Sequence, residues 1–304
     1  MEQAADKELY IVRKPRNAVI AFLLSLVFAG LGQVYNGQLK KGVFFFFLVL
    51  LFPFLFGFTR IATSFSGMIT LLVVLTVFKL IAAVDAARWA NYQKDYILKP
   101  YNTWYFHSLI AIGMYIVILF YDAGSILGIK TFSIPTPANN PTLQVGDLVV
   151  ADNKAYQHKN PDYGDIVTFL VQDGTIHTYR IVALPNDEFE LVDNIVRING
   201  ALSKTKVVQE LSWENVPVSK IEEELPNGTK HFIYTLSKAL QSPKANVPKS
   251  KIPADSYYLL GDFRDNAADS RFLGFIDRSR IQGRIVYSYW GKSLNRINID
   301  FRDK

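Results

Sequence analysis

The sequence predicts a multi-pass α-helical membrane region followed by a mostly β exported domain. Three observations carry that expectation. Long apolar runs crowd residues 18–121, and from Lys130 onward the charges scatter among short β-branched stretches. Lys and Arg gather at the flanks of the apolar runs, where basic residues set membrane orientation. The expected division is a membrane domain over 1–129 and an ectodomain over 130–304.

The first run, 18–29, covers about 12 residues before Gly30-Leu31-Gly32-Gln33, short of the roughly 20 needed to cross a bilayer. The segment 18–33 is therefore expected to be re-entrant or interfacial. Arg13, Lys14 and Arg16 precede it as they would a signal peptide, but no small-residue cleavage site with a polar mature start follows. Spans are expected at about 42–59, 68–87 and 104–121. The first opens with Phe44 to Phe47 and carries Pro53, which should kink it. The third is bounded by Trp104, Tyr105 and Tyr121, aromatics suited to the interface.

With three crossings, Lys7, Arg13, Lys14, Arg16, Lys40, Lys41, Arg88, Lys94 and Lys99 share one side, and Arg60 stands alone opposite. The positive-inside rule makes the crowded side cytoplasmic and delivers the C-terminal half to the outer face. Lys79, with Asp85 six residues on, is the charge inside a span; it reads as snorkelling or paired within the bundle ahead of a functional site.

Gly146-Asp147, Gly164-Asp165, Pro185-Asn186-Asp187 and Asn199-Gly200 bound short alternating runs, as in a sheet of hairpins. Residues 204–251, richer in Glu, Lys, Asn and Pro, read as an insertion from that sheet. The chain has no cysteine, which excludes disulfides, a thiol nucleophile and Cys-ligated zinc. The net charge of +6 is spent mostly on membrane flanks, and no basic stripe interleaved with aromatics suggests nucleic acid. No cofactor or metal site is expected.

Two resemblances add to this reading. Gly30-Leu-Gly-Gln-Val-Tyr-Asn-Gly37, followed by Lys40-Lys41-Gly42, resembles a small bacterial membrane module with a Gly-x-Gly-Gln-x-Tyr-x-Gly turn. The second half is identified as a member of the bacterial type I signal peptidases. Ile134-Pro-Thr-Pro-Ala-Asn-Asn-Pro-Thr-Leu143 with Gly146-Asp147 is similar to the family's nucleophile box. Tyr179-Arg-Ile-Val-Ala-Leu-Pro-Asn-Asp187 is similar to the general-base strand, and Gly261-Asp-Phe-Arg-Asp-Asn-Ala-Ala-Asp-Ser-Arg271 to the last box. All three stand in the family's order.

The resemblance implies a serine–lysine peptidase acting on exported preproteins, yet here the chemistry is missing. It places the nucleophile at Ala138, the general base at Tyr179 and the base-orienting hydroxyl at Ala267. A methyl group cannot attack a carbonyl, and a phenol of ordinary pKa near 10 is protonated at neutral pH. The implied groove residues are Ile134, Pro135, Asn139, Pro141 and Arg180. The implied structural set is Asp262, Arg264, Asp269, Ser270 and Arg271.

The preferred expectation is an inactive homologue in the bacterial cytoplasmic membrane. It would bind extended or signal-peptide-like segments, or assist an active paralogue. An alternative is an atypical active peptidase using Thr136, at the oxyanion-hole position, with His177 or another base. A third is a functional membrane module with the ectodomain as its sensor.

Overall fold

The computed structural model describes residues 15–93 and 101–302. Lys7, Arg13, Lys14, Lys94 and Lys99, five of the flanking charges, lie outside the described residues. The chain forms two compact units: residues up to Ala62 with Ser66–Leu127, and Thr63–Phe65 with Gly128 onward.

The first unit is helical. Its elements are α1 (Ala18–Val27), α2 (Leu31–Tyr35), α3 (Leu39–Phe58), α4 (Phe65–Tyr92), α5 (Trp104–Phe120) and α6 (Ala123–Leu127). Asn17 caps α1 by accepting hydrogen bonds from the Val19 and Ile20 amides. Helices α3 and α4 are long and apolar enough to cross a membrane, whereas α5 has 17 residues. The expected third span is thus shorter than the other two.

The glycines of the 30–37 motif have a packing reason. A Cβ on Gly30 would lie 2.0 Å from the Gly42 carbonyl oxygen, and one on Gly32 2.0 Å from that of Ala21. Only glycine lets α2 sit this close to α1 and α3. Gln33, fully buried, then ties α2 to α4: its Nε2 donates to the Ala82 carbonyl at 2.7 Å and to Asp85 at 3.0 Å. Asp85 also pairs with Lys41 at 2.7 Å. Among the described residues Asp85 is not paired with Lys79; the lysine that reaches it comes from the start of α3.

The second unit is mostly β. Its strands are β1 (Ile129–Ser133), β2 (Leu148–Asp152), β3 (Ile166–Leu170), β4 (Ile176–Ala183), β5 (Glu188–Val192), β6 (Ile195–Ile198), β7 (Ala201–Leu202), β8 (Lys204–Trp213), β9 (Val216–Glu224), β10 (Lys230–Leu236), β11 (Val247–Lys251) and β12 (Ser256–Leu260). A short helix α7 (Ser270–Leu273) precedes β13 (Ile276–Asp277) and the long β14 (Ile281–Trp290). A seven-stranded antiparallel sheet runs β1-β2-β14-β3-β4-β12-β13. A four-stranded sheet, β11-β5-β6-β7, and a three-stranded one, β10-β9-β8, complete the unit.

The excursion from the main sheet starts earlier than the expected 204. It runs from Glu188 to Lys251, because β5–β7 build their own sheet and β11 returns to pair with β5. The tight hairpins explain how: Asp193-Asn194 and Asn199-Gly200 both take positive φ, as two-residue turns between twisted strands require. Phe189 of β5 stacks on Tyr258 of β12 with ring centroids 4.0 Å apart, joining the second sheet to the first through a shared apolar core.

Candidate functional site

Strand β4 changes its partner halfway along, and this opens the site. Ile181 gives its N–H to Asp165 and takes one from Gly164, so its backbone groups face the β3 side. Neighbouring residues alternate, which turns the N–H and C=O of Ile176, Thr178 and Arg180 to the other edge. There β12 covers only Arg180–Ala183. The edge at Ile176 and Thr178 is left without a strand and borders a cavity of about 680 Å³. Residues 132–139 form the opposite wall, with 265–268 and Phe272 closing the site.

Side chains alternate too, so His177 and Tyr179 both line the cavity. Arg180 does not. Expected as a groove residue, it points to the opposite face and is 1% exposed, with Nε and Nη2 each 2.8 Å from the Asp262 carboxylate and Nη1 on the Gly164 carbonyl. Pro141 lies outside the cavity wall as well, past the short turn Pro137–Asn139. Ile134, Pro135, Thr136 and Asn139 do line it.

Ala138, Tyr179 and Ala267, distant in sequence, meet at Gly261. A Cβ on that glycine would lie 2.4 Å from the Ala267 methyl, 2.5 Å from the Ala138 carbonyl oxygen and 3.4 Å from the Tyr179 ring. The Ala138 carbonyl is itself held by the Phe263 amide at 3.0 Å. All three pack into one apolar cluster with Phe169, Ile181 and Leu259. Burial, with the nearby Asp269 charge, pushes the Tyr179 phenol up to about 12, although the Ala268 amide and Arg271 pull the other way. It stays protonated throughout the neutral range and cannot serve as a base there.

Thr136 is exposed. Among the described residues no hydrogen bond joins it to His177, whose ring lies against Phe169 and Tyr179 at 6.1 Å. Asn139 is buried and commits its amide: Nδ2 donates to the Thr178 carbonyl at 2.7 Å.

Behind the cavity lies a buried ionic frame. Asp269 accepts a two-pronged contact from Arg271, at 2.8 and 2.7 Å, and its Oδ2 takes the Gly261 amide at 2.9 Å. The Ser270 hydroxyl accepts from the Leu259 amide. Arg264 donates to Glu223 and to the Asn194 carbonyl, both at 2.5 Å. The acid of this last pair was not foreseen in the sequence, where Glu223 stands between Glu222 and Glu224. Glu223 is buried, whereas Glu222 and Glu224, which alternation sends to the other face of β9, are only partly so. Burial alone would raise the Glu223 pKa. The Arg264 charge, His231 and the Val196 amide overcome this and hold it at about 2. His231 stands 3.3 Å from Glu223, yet its burial and the Arg180 charge lower its pKa, so it is neutral at neutral pH.

Comparison with known proteins agrees with this architecture. The family described as signal peptidase, peptidase S26, matches residues 103–290. A signal peptidase I of Rickettsia conorii is 26% identical over 209 residues, covering 57% of this chain and 79% of the relative. One from Rickettsia typhi is 25% identical over the same length. A crystal structure of a signal peptidase I from Enterococcus faecalis V583 aligns at 24% identity, with 41% of this chain and 97% of that chain covered and a TM-score of 0.25.

Proposed function

This chain belongs to the S26 family of signal peptidases, and we propose that it is a member without peptidase activity that binds extended, signal-peptide-like segments at the outer face of a bacterial cytoplasmic membrane. One observation carries the reading. The position matched to the nucleophile is a methyl, the position matched to the base is a buried protonated phenol, and the cavity between them remains open. An acyl-transfer site needs a lone pair at the first position and a proton acceptor at the second. An extended peptide needs only a cavity and a free strand edge.

Thr136 does not restore the chemistry. Among the described residues it has no hydrogen-bonded base, and it sits exposed on the cavity wall. Asp262, Arg264, Asp269, Ser270 and Arg271 hold the wall in shape rather than touch a ligand.

For the membrane part we infer three crossings, α3, α4 and α5, with the α1–α2 hairpin re-entrant. At 1.5 Å per residue α5 reaches about 26 Å, which meets the lower end of the lengths that span a hydrocarbon core of about 30 Å. Arg16, Lys40, Lys41 and Arg88 then fall on the cytoplasmic side and Arg60 on the other, which places residues 130–304 outside. The bilayer is the one partner this topology requires; exported preproteins or an active paralogue supply the segment bound.

The test is cleavage of a preprotein by the purified chain in detergent, beside the Ala138→Ser, Tyr179→Lys, Ala267→Ser triple variant. The native chain should be silent. A lysine at 179 would enter an apolar cluster that favours its neutral form, the state a general base needs. Cutting by the triple variant would show that the groove admits preproteins. Turnover by the native chain would refute the inactive reading.

A further inference from the structure

An incoming strand that adds to the open edge of β4 finds its backbone groups unequal. By the alternation fixed at Ile181, the Ile176 and Thr178 amides and carbonyls all face the cavity. The Thr178 carbonyl, however, is already engaged by Asn139 Nδ2 at 2.7 Å. The amide nitrogen is the only end of that side chain able to meet a carbonyl, so the contact has one sensible orientation. Asn139 is 6% exposed and ends the short turn Pro137–Asn139, which begins at the cavity wall. Its amide is held there by the turn and is not a freely rotating surface group.

An ordinary peptide laid along this edge would bring a backbone N–H to the Thr178 carbonyl. That oxygen has two lone pairs and Asn139 holds one of them, so the N–H either displaces the asparagine amide, which is then left buried without a partner, or shares the oxygen in a weaker three-centre contact. Each outcome costs up to about the net worth of one hydrogen bond. A ligand residue with no N–H escapes the conflict, and among the common amino acids that residue is proline.

We infer that Asn139 is a specificity-determining residue of the groove: by occupying the Thr178 carbonyl it weakens binding of strands with a complete set of amides and favours segments carrying proline at the register opposite Thr178. This rests on the reading of the cavity as a peptide groove. Its content is the class of segment selected, not the presence of binding.

The experiment is a proline scan on a fluorescent, alanine-rich extended peptide, with affinities measured for the full-length chain in detergent by polarisation. The same scan is run on Asn139→Leu and, in case leucine overfills the turn, on Asn139→Ala. In the native chain one position of the scan should accept proline with affinity equal to or above that of the parent peptide. In both variants the parent peptide should gain about three- to tenfold, the range expected for one net hydrogen bond, while the peptide with proline at that position should not gain. Identical proline profiles in the native chain and the variants would overturn the role of Asn139 and leave the groove standing. Absence of binding by every peptide to every protein would overturn the groove reading and this inference with it. Native-like thermal melts for at least one variant make the comparison valid.

Discussion

Replacing Glu223 with glutamine should destabilise the β unit strongly at neutral pH and hardly at all in acid. Glu223 is fully buried, and its folded pKa of about 2 lies below the ordinary value of 4.5. A difference of about 2.5 units at 1.36 kcal/mol each corresponds to about 3 kcal/mol. Because the folded pKa is the depressed one, this stabilisation is fully present above pH 4.5 and is lost as the pH falls toward 2. Glutamine keeps the shape and an acceptor for Arg264 but removes the charge, so the variant should lose about 3 kcal/mol at pH 7. That matches the scale on which breaking a buried ion pair destabilises a protein. His231 adds an arm of its own. Its lowered pKa means folding expels a proton, so stability in both proteins begins to decline as the pH drops below 6.5. The assay is urea unfolding of the full chain in detergent, read by pulsed hydrogen exchange at β8–β10, from pH 7.5 down to pH 2.5. A loss below about 1 kcal/mol at pH 7, or a native–variant gap that persists unchanged at the acid end, would refute the assignment of Arg264–Glu223 as a charged pair.

Gly261→Ala should cost about 1–3 kcal/mol, because its methyl would overlap the Ala267 methyl and the Ala138 carbonyl, the latter held in place by the Phe263 amide. A thermal melt that matches the native chain would show that the knot relaxes freely. In the helical unit, Gln33→Leu removes three hydrogen bonds, from Ser25 and to Ala82 and Asp85, leaving buried groups unpaired at about 1–3 kcal/mol. Thermal aggregation in detergent should begin at a lower temperature for this variant, while the melt of the β unit stays unchanged.

The three motif boxes were legible in the sequence because they are local. So was the β character of the second half, since period-two alternation and turn residues are local as well. What escaped depends on pairing across the chain. Arg180 was read as a groove residue from the family resemblance, yet a strand sends adjacent side chains to opposite faces, and the Asp262 carboxylate claims it. Glu223 was hidden inside an acidic run whose members differ only in which face of β9 they occupy. The beginning of the excursion at Glu188 escaped for a related reason: β5 and β6 have ordinary strand composition, and only the register shows that they leave the main sheet.

The pattern of loss and retention follows from the energetics of burial. The three positions matched to the catalytic groups carry two methyls and a phenol, and all three join an apolar cluster where such groups pack at no electrostatic cost. Carrying these groups at the matched positions therefore need not weaken the fold. The paired charges behind the cavity differ, because removing either partner of Arg180–Asp262, Arg264–Glu223 or Arg271–Asp269 would strand a buried charge. Their survival is thus explained by stability and says little about activity. The informative survivor is the cavity itself. An inert scaffold gains packing by filling such a space with larger side chains or by extending β12 along β4, and neither has happened: about 680 Å³ stays open beside an unpaired strand edge. An open edge is a liability unless a strand is meant to occupy it, and the one device that blunts it here is the Asn139 amide on a single carbonyl.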